Sequence, residues 1–127
     1  MGVAYKRLDA IRRIVVTVTG PLGAADILTV VDRQADEGIW DYGCLYDERR
    51  MTIWPSTADV APIARYVQQL VEVLGPRGPV AVVADRVGSV EVYSRLSKHI
   101  GLRFEVFDDI HEAERWLSQI LLRIDRK

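Results

Sequence analysis

The chain has 127 residues, of which 49% are hydrophobic and 28% are charged, and its net charge is −1. These values predict one globular domain over residues 1–127 and exclude a disordered or fibrous chain, while the near-zero charge gives no general attraction to nucleic acid or anionic membranes. No uninterrupted apolar stretch approaches the roughly 20 residues that span a bilayer, and the single cysteine, Cys44, cannot form an intramolecular disulfide, so the cytoplasm is the expected location.

The first part of the sequence predicts a β-hairpin followed by a helix. Residues 3–8 and 11–19 flank a tight turn, and the second of these segments contains a run of β-branched residues. After the Gly-Pro pair at 20–21, apolar residues recur at helical spacing up to Gly38, a residue type that suits the C-terminal end of a helix.

The middle of the sequence predicts a second strand–helix unit. Residues 42–47 form an apolar strand in which Cys44 is expected to be an inert core thiol. Ser56 and Asp59 resemble an N-terminal capping box, and the apolar residues that follow lie on one stripe of a helix until Gly75.

Two further strand–helix units complete the predicted order β-β-α-β-α-β-α-β-α. The apolar run 80–84 suits a buried parallel strand, and Ser89 can cap a third helix. Residues 102–106 alternate between apolar and charged, as in an edge strand, and Asp109 with Glu112 forms a cap for a fourth helix. The fold class is therefore α/β, with a mostly parallel five-stranded sheet, an N-terminal antiparallel hairpin and four helices.

Three stretches at strand ends resemble a known superfamily. They are TGPL at 19–22, YGCLYDERR at 42–50 and VFDDIHEAERWL at 106–117. In this order they are similar to the STAS superfamily, and more narrowly to its stand-alone SpoIIAA-like branch, which is grouped with the CRAL-TRIO lipid-transfer domains. The resemblance implies a non-enzymatic binding or regulatory module that docks a protein partner or a small, apolar ligand.

The same resemblance bears on phosphorylation. Regulatory members of the superfamily carry Asp-Ser or Asp-Thr before the long helix, and a partner kinase phosphorylates the hydroxyl group. The matching stretch here is Asp47-Glu48-Arg49-Arg50, which keeps the aspartate but has no hydroxyl residue. We therefore predict that this loop is not phosphorylated, and we interpret the hydroxyl residues at 56–57 as helix caps.

The carboxyl ends of the parallel strands are the expected place for a binding site, because ligands of open α/β sheets collect there. Asp47, Asp85 and Asp108 could approach one rim and hold a divalent cation, which suggests a small metal-dependent hydrolase as an alternative function. Strand-end aspartates also cap helices and pair with neighbouring arginines, and this second explanation needs no metal.

Two tryptophans flank the 42–47 strand, and exposed tryptophan marks many contact surfaces, although both could simply cover the edge of the core. The residues expected at the site are Trp40, Asp47, Glu48, Arg49, Arg50, Trp54, Asp85 and Arg86. We expect no cofactor, because the glycine-containing turns lack a phosphate cradle and the histidines lack metal-ligand spacing. Acidic residues accompany most basic ones, so nucleic acid is not an expected partner.

A homodimer without ligand is a third alternative. If alternate residues of the second strand point toward the helices, then Val15 and Thr17 point away from them, together with Leu45, Ala81 and Val83. Such a shallow apolar surface could be covered by a second copy of the chain. It could equally be covered by helices, as in doubly wound sheets.

Overall fold

A computed structural model describes residues 2–53, 57–84 and 103–125, which form one five-stranded sheet with α-helices packed on both of its faces. In chain order the elements are β1 (Gly2–Leu8), β2 (Arg13–Pro21), α1 (Ala24–Asp36), β3 (Gly43–Ile53), α2 (Thr57–Leu74), β4 (Val80–Val83), β5 (Phe104–Phe107) and α3 (Ile110–Asp125). The strands lie side by side in the order β1-β2-β3-β4-β5, so β1 and β5 are its edges.

The predicted hairpin is confirmed, since all of β1 pairs in antiparallel fashion with residues 13–19 of β2. The turn between them is a 3₁₀ helix over Asp9–Ile11 that ends at Arg12, whose φ of 50° lies in the left-handed region. Ile11, which was expected in the second strand, therefore belongs to the turn.

The other three strand pairs, β2–β3, β3–β4 and β4–β5, are parallel, as expected. Cys44 lies opposite Val80, which confirms the predicted pairing of the strand at 42–46 with the strand at 80–84. Three of the four predicted helices are described; the other, predicted to begin at Ser89, lies outside the described residues, as does the predicted cap Ser56.

One face of the sheet, which we call the α1 face, packs against α1 and α2. Its strands contribute the buried side chains Ile14, Val16, Val18, Cys44, Tyr46, Val80 and Val82, and its helices contribute Ile27, Val30, Val31, Ile63 and Val67. The alternate residues of β2 thus point inward as their period of two predicts. Helix α1 ends where expected, because Gly38 just beyond it adopts a φ of 72° that other residues rarely adopt.

The opposite face, which we call the α3 face, packs against α3. Leu45, Ala81 and Val83 form a second buried cluster with Ala113 and Leu117 of that helix. Of the two alternatives for these strands, coverage by a helix is the one observed, because α3 covers them while burying its own apolar stripe, and no open apolar surface remains over Leu45, Ala81 and Val83. No element in the described part of the chain covers the part of this face formed by β1 and the carboxyl end of β2.

The side chain of Tyr5 connects the edge strand β1 to the carboxyl end of α1. The hydroxyl of Tyr5 donates a hydrogen bond to Glu37 Oε1 at 3.1 Å, and the guanidinium of Arg33 lies 4.0 Å from the centre of the Tyr5 ring. These contacts are on the α1 face, so they hold β1 in place without covering the other side of the strand.

Candidate functional site

A β-bulge shapes the carboxyl end of the sheet. Thr17 of β2 lies opposite Asp47 of β3, but Thr19 lies opposite Arg50, so two residues of β3 face a single residue of β2. An extra residue of this kind redirects the side chains that follow it. Asp47 and Arg50 consequently stand in register with two threonines of β2, on the α3 face.

The carboxylate of Asp47 is bound by Arg49 through two side-chain hydrogen bonds. Arg49 Nε donates to Oδ1 at 2.9 Å and Arg49 Nη2 donates to Oδ2 at 2.8 Å, and the Arg49 backbone N–H also donates to Oδ1 at 3.3 Å. These hydrogen bonds from Arg49, followed by the charges of Arg49 and Arg50, hold the pKa of Asp47 below its usual value despite partial burial. Asp47 is therefore an ionised, already paired group.

Glu48 points in the opposite direction, into the interior. It is only 2% exposed, and its Oε1 has no hydrogen-bond partner in the part of the chain that the structure describes. Burial, with a smaller contribution from the charge of Asp47, raises the pKa of Glu48 to about 8. At neutral pH most molecules therefore carry Glu48 as the neutral acid.

The predicted site residues do not all meet at this rim. Asp47, Glu48, Arg49 and Arg50 follow one another along β3, but the side chain of Glu48 is inside and only the other three are partly or fully exposed. Trp54, Asp85 and Arg86 lie outside the described residues.

Trp40 is at the other end of the sheet, before β3 begins, and is 6% exposed. Its Nε1 donates to the carbonyl of Gly75 at 2.9 Å, and the Arg77 guanidinium lies 5.3 Å from its ring centre. Its predicted place at the binding rim is therefore corrected: Trp40 covers the edge of the core, since its hydrogen-bonding group and ring are both engaged there.

Of the three aspartates proposed as metal ligands, Asp47 and Asp108 are among the described residues and Asp85 is not. Asp108 is exposed, and Asp109 Oδ1 accepts a hydrogen bond from the backbone N–H of His111 at 2.7 Å, which confirms that Asp109 caps α3. Within residues 2–53, 57–84 and 103–125, no three His, Cys, Asp or Glu side chains are close enough to share a metal ion.

A buried polar cluster that the sequence did not reveal lies under α1. Gln34 is completely buried, and its Nε2 donates to the carbonyls of Ile39 and Trp40, both at 3.1 Å. Its Oε1 accepts from Arg77 Nε at 3.0 Å and from the Cys44 thiol at 3.5 Å. Burial raises the pKa of Cys44, so the prediction of an inert core thiol is confirmed in its location and is consistent with its chemistry.

Comparison with known proteins identifies the fold. No family model and no curated protein matches the sequence. The structure is similar to that of an uncharacterized protein from the DUF3478 family with a SpoIIAA-like fold, from Shewanella loihica PV-4, with a TM-score of 0.62 and 13% identity over 91% of this chain and 92% of that one. This chain has a SpoIIAA-like fold. No helix in the described part of this SpoIIAA-like chain is long and apolar enough to cross a membrane.

The position of Glu48 matters for the comparison with regulatory STAS members. The resemblance drawn from the sequence implies that Glu48 occupies the position of their hydroxyl residue, and in this structure its carboxyl group is buried and largely neutral. It therefore does not display a permanent negative charge at the surface, as a phosphorylated residue would. The absence of phosphorylation at this loop stays a prediction.

Arg13 attaches α3 to the SpoIIAA-like sheet, a role that the sequence did not suggest. It is 4% exposed at the start of β2, and its Nη2 donates to the Glu114 carbonyl at 3.1 Å and to Ser118 Oγ at 2.9 Å. Its Nη1 lies 3.8 Å from Glu114 Oε2. A charged residue beside a β-branched run gave no sign of this, because the partners are about a hundred residues away in sequence.

We expect Arg13→Met to lower the free energy of unfolding by about 1–3 kcal/mol, because methionine fills much of the space but makes neither hydrogen bond to α3. Urea unfolding of the full chain measures this. Arg103→Met, at an exposed arginine before β5, is the matched control and should change the midpoint little. Equal midpoints for the two variants would show that Arg13 does not hold α3.

Proposed function

We propose that this SpoIIAA-like chain is a non-enzymatic binding module of the cytoplasm that docks a protein partner at the rim formed by Asp47, Arg49 and Arg50. The observation that carries the proposal is the Asp47–Arg49 pair, which is fixed by two side-chain hydrogen bonds on a bulged strand beside the exposed Arg50. Rigid, exposed, charged groups on a strand suit recognition, because little side-chain entropy is lost when a partner binds them.

Among the described residues, the groups that could perform chemistry are poorly placed for it. Both oxygens of Asp47 are already hydrogen-bonded to Arg49, so a metal ion at this carboxylate would have to displace an arginine. Cys44 is buried with a raised pKa, and Glu48 is buried in the interior. These features support a binding role over the alternative of a metal-dependent hydrolase.

The charge reversal Arg49→Glu tests the proposal, because it replaces the bidentate pair by two like charges. We expect wild-type chain, immobilised and chemically cross-linked in a cell extract, to retain a partner whose cross-links map to β3, and we expect Arg49→Glu to lose that partner. Arg65→Glu, at an exposed arginine of α2, makes the same charge change on another surface and should retain it.

Other outcomes contradict the proposal and favour a named alternative. A lipid or other small apolar molecule that stays bound in native mass spectrometry would favour a ligand-binding module. Divalent-cation binding in calorimetry that Asp47→Asn abolishes would favour the hydrolase. A dimer in sedimentation that survives Arg49→Glu, with nothing else retained, would favour a structural homodimer.

A further inference from the structure

The uncovered part of the α3 face forms a shallow concave surface beside the rim. We call it the open face and define it by Gly2, Ala4 and Lys6 of β1, Thr17 and Thr19 of β2, and Arg50 of β3. A depression of about 350 Å³ lies here, lined by Gly2, Val3, Ala4, Thr17 and Thr19. Most of these side chains are short, so the backbone of another chain could approach the sheet closely.

The strand register fixes where the charges stand around this depression. Lys6 lies opposite Val15, and Gly2 lies opposite Thr19, which in turn lies opposite Arg50. Lys6 and Arg50 are therefore separated by four residues along the strands and by two strand spacings across them. With about 3.3 Å per residue and about 4.8 Å between strands, their Cα atoms are about 16 Å apart, at diagonal corners of the open face.

The open face is positively charged. Lys6 and Arg50 are exposed, and neither forms an ion pair with an acidic side chain in the part of the chain that the structure describes. Among the residues that the structure describes, the acid beside Arg50 on β3 is Asp47, which is already paired with Arg49. The two cations at the corners are thus available to carboxylates of a partner.

We infer that the open face binds an acidic, extended segment of a partner protein, with one carboxylate at Lys6 and another at Arg50. This inference rests on the proposed binding function and names the chemistry of the partner. Side chains of an extended segment point alternately to its two sides, so acidic residues four positions apart, about 13 Å along the segment, face the sheet together, and the long side chains of the acids and of the two cations cover the remaining distance. Two cations at the corners of a shallow depression suit a short peptide, whereas nucleic acid is bound by many phosphate contacts.

The test is a titration of the uniformly ¹⁵N-labelled full chain, followed by NMR. The probe is a blocked five-residue peptide with glutamate at both ends and threonine and valine between them, and the matched control has glutamine at both ends. We expect millimolar binding of the glutamate peptide, with amide shifts confined to β1, β2 and the carboxyl half of β3, and binding that weakens as salt is added.

Charge reversal at one corner identifies the contact. Arg50→Glu should weaken binding of the glutamate peptide at least about fivefold, since one exposed ion pair supplies a factor of this size. Arg65→Glu should leave binding unchanged, and both residues are exposed, so both variants should fold.

The inference is overturned if no shifts occur, if they spread over all basic surfaces, or if Arg50→Glu binds as well as wild type. It is also overturned if the same amides shift with protein concentration alone, because a second copy would then occupy the open face. A partner that cross-links to β3 but is captured equally by Arg50→Glu would preserve the proposed function and reject only this surface, whereas loss of capture of any partner would reject the function itself.

Discussion

Glu48→Gln is expected to remove most of the pH dependence of stability between about pH 5 and pH 9. The pKa of Glu48 is about 8 in the folded chain, against 4.5 for an ordinary glutamate, so the folded state holds the proton more tightly than the unfolded state does. The stabilisation from the tightly held proton of Glu48 is complete below pH 4.5. It decreases as the pH rises above that value and is lost once the pH has passed through 8. At about 1.4 kcal/mol for each pH unit of the shift, the loss approaches about 5 kcal/mol above pH 8.

A loss of this size is a large fraction of the stability of a small domain, which is typically about 5–15 kcal/mol. Urea unfolding at several pH values should therefore show the wild type falling toward instability near pH 9 while Glu48→Gln remains stable. Glu105→Gln, which removes an exposed carboxylate from β5, is the control and should keep the wild-type slope. Parallel slopes for wild type and Glu48→Gln would mean that Glu48 finds solvent or a partner when it ionises.

Gly78→Ala is expected to destabilise the fold by at least about 3 kcal/mol. A methyl group added at Gly78 would lie 2.2 Å from the carbonyl oxygen of Tyr42 and 2.5 Å from that of Asp41. Both contacts are with backbone, so no side chain can rotate away, and the Gly78 N–H also donates to the Trp40 carbonyl at 3.0 Å. The two loops before β3 and β4 would have to separate.

Thermal and urea unfolding measure the effect, and Gly2→Ala provides the control because a methyl group there meets nothing within 4 Å. We expect the control to unfold within about 0.5 kcal/mol of wild type. If both variants unfold alike, the close approach of the two loops is not required for the fold.

The order of the elements along the chain and most of their boundaries were predictable because they depend on local patterns. The alternation in Ile14, Val16 and Val18 indicated which side of β2 meets the helices, and the Asp109 cap marked the start of α3. That α3 covers Leu45 was not predictable. The sequence of an amphipathic helix shows which of its sides is apolar, but it does not show which surface of the protein that side packs against.

The candidate site was predictable only in part, since its geometry depends on the register between strands. The sequence placed Asp47, Arg49 and Arg50 at a strand end, but the bulge that brings Arg50 onto the same face as Asp47 appears only when Thr17 and Thr19 are aligned with β3. The position of Trp40 beside the strand at 42–47 is compatible with both the binding rim and the edge of the core. Its burial depends on Gly75, 35 positions along the chain, which no local pattern reports.

The sequential strand order has a consequence for what the molecule can recognise. In doubly wound sheets the strand order reverses at one point, the chain departs to opposite sides there, and a crevice opens that accepts cofactors and small substrates. Here each described strand lies beside its predecessor from β1 to β5, so these five strands contain no topological switch point. In the proposed binding function, selectivity would therefore depend on the exposed side chains of the strands and on the spacing of their charges. Single substitutions at exposed positions can change that spacing, and the fold tolerates them.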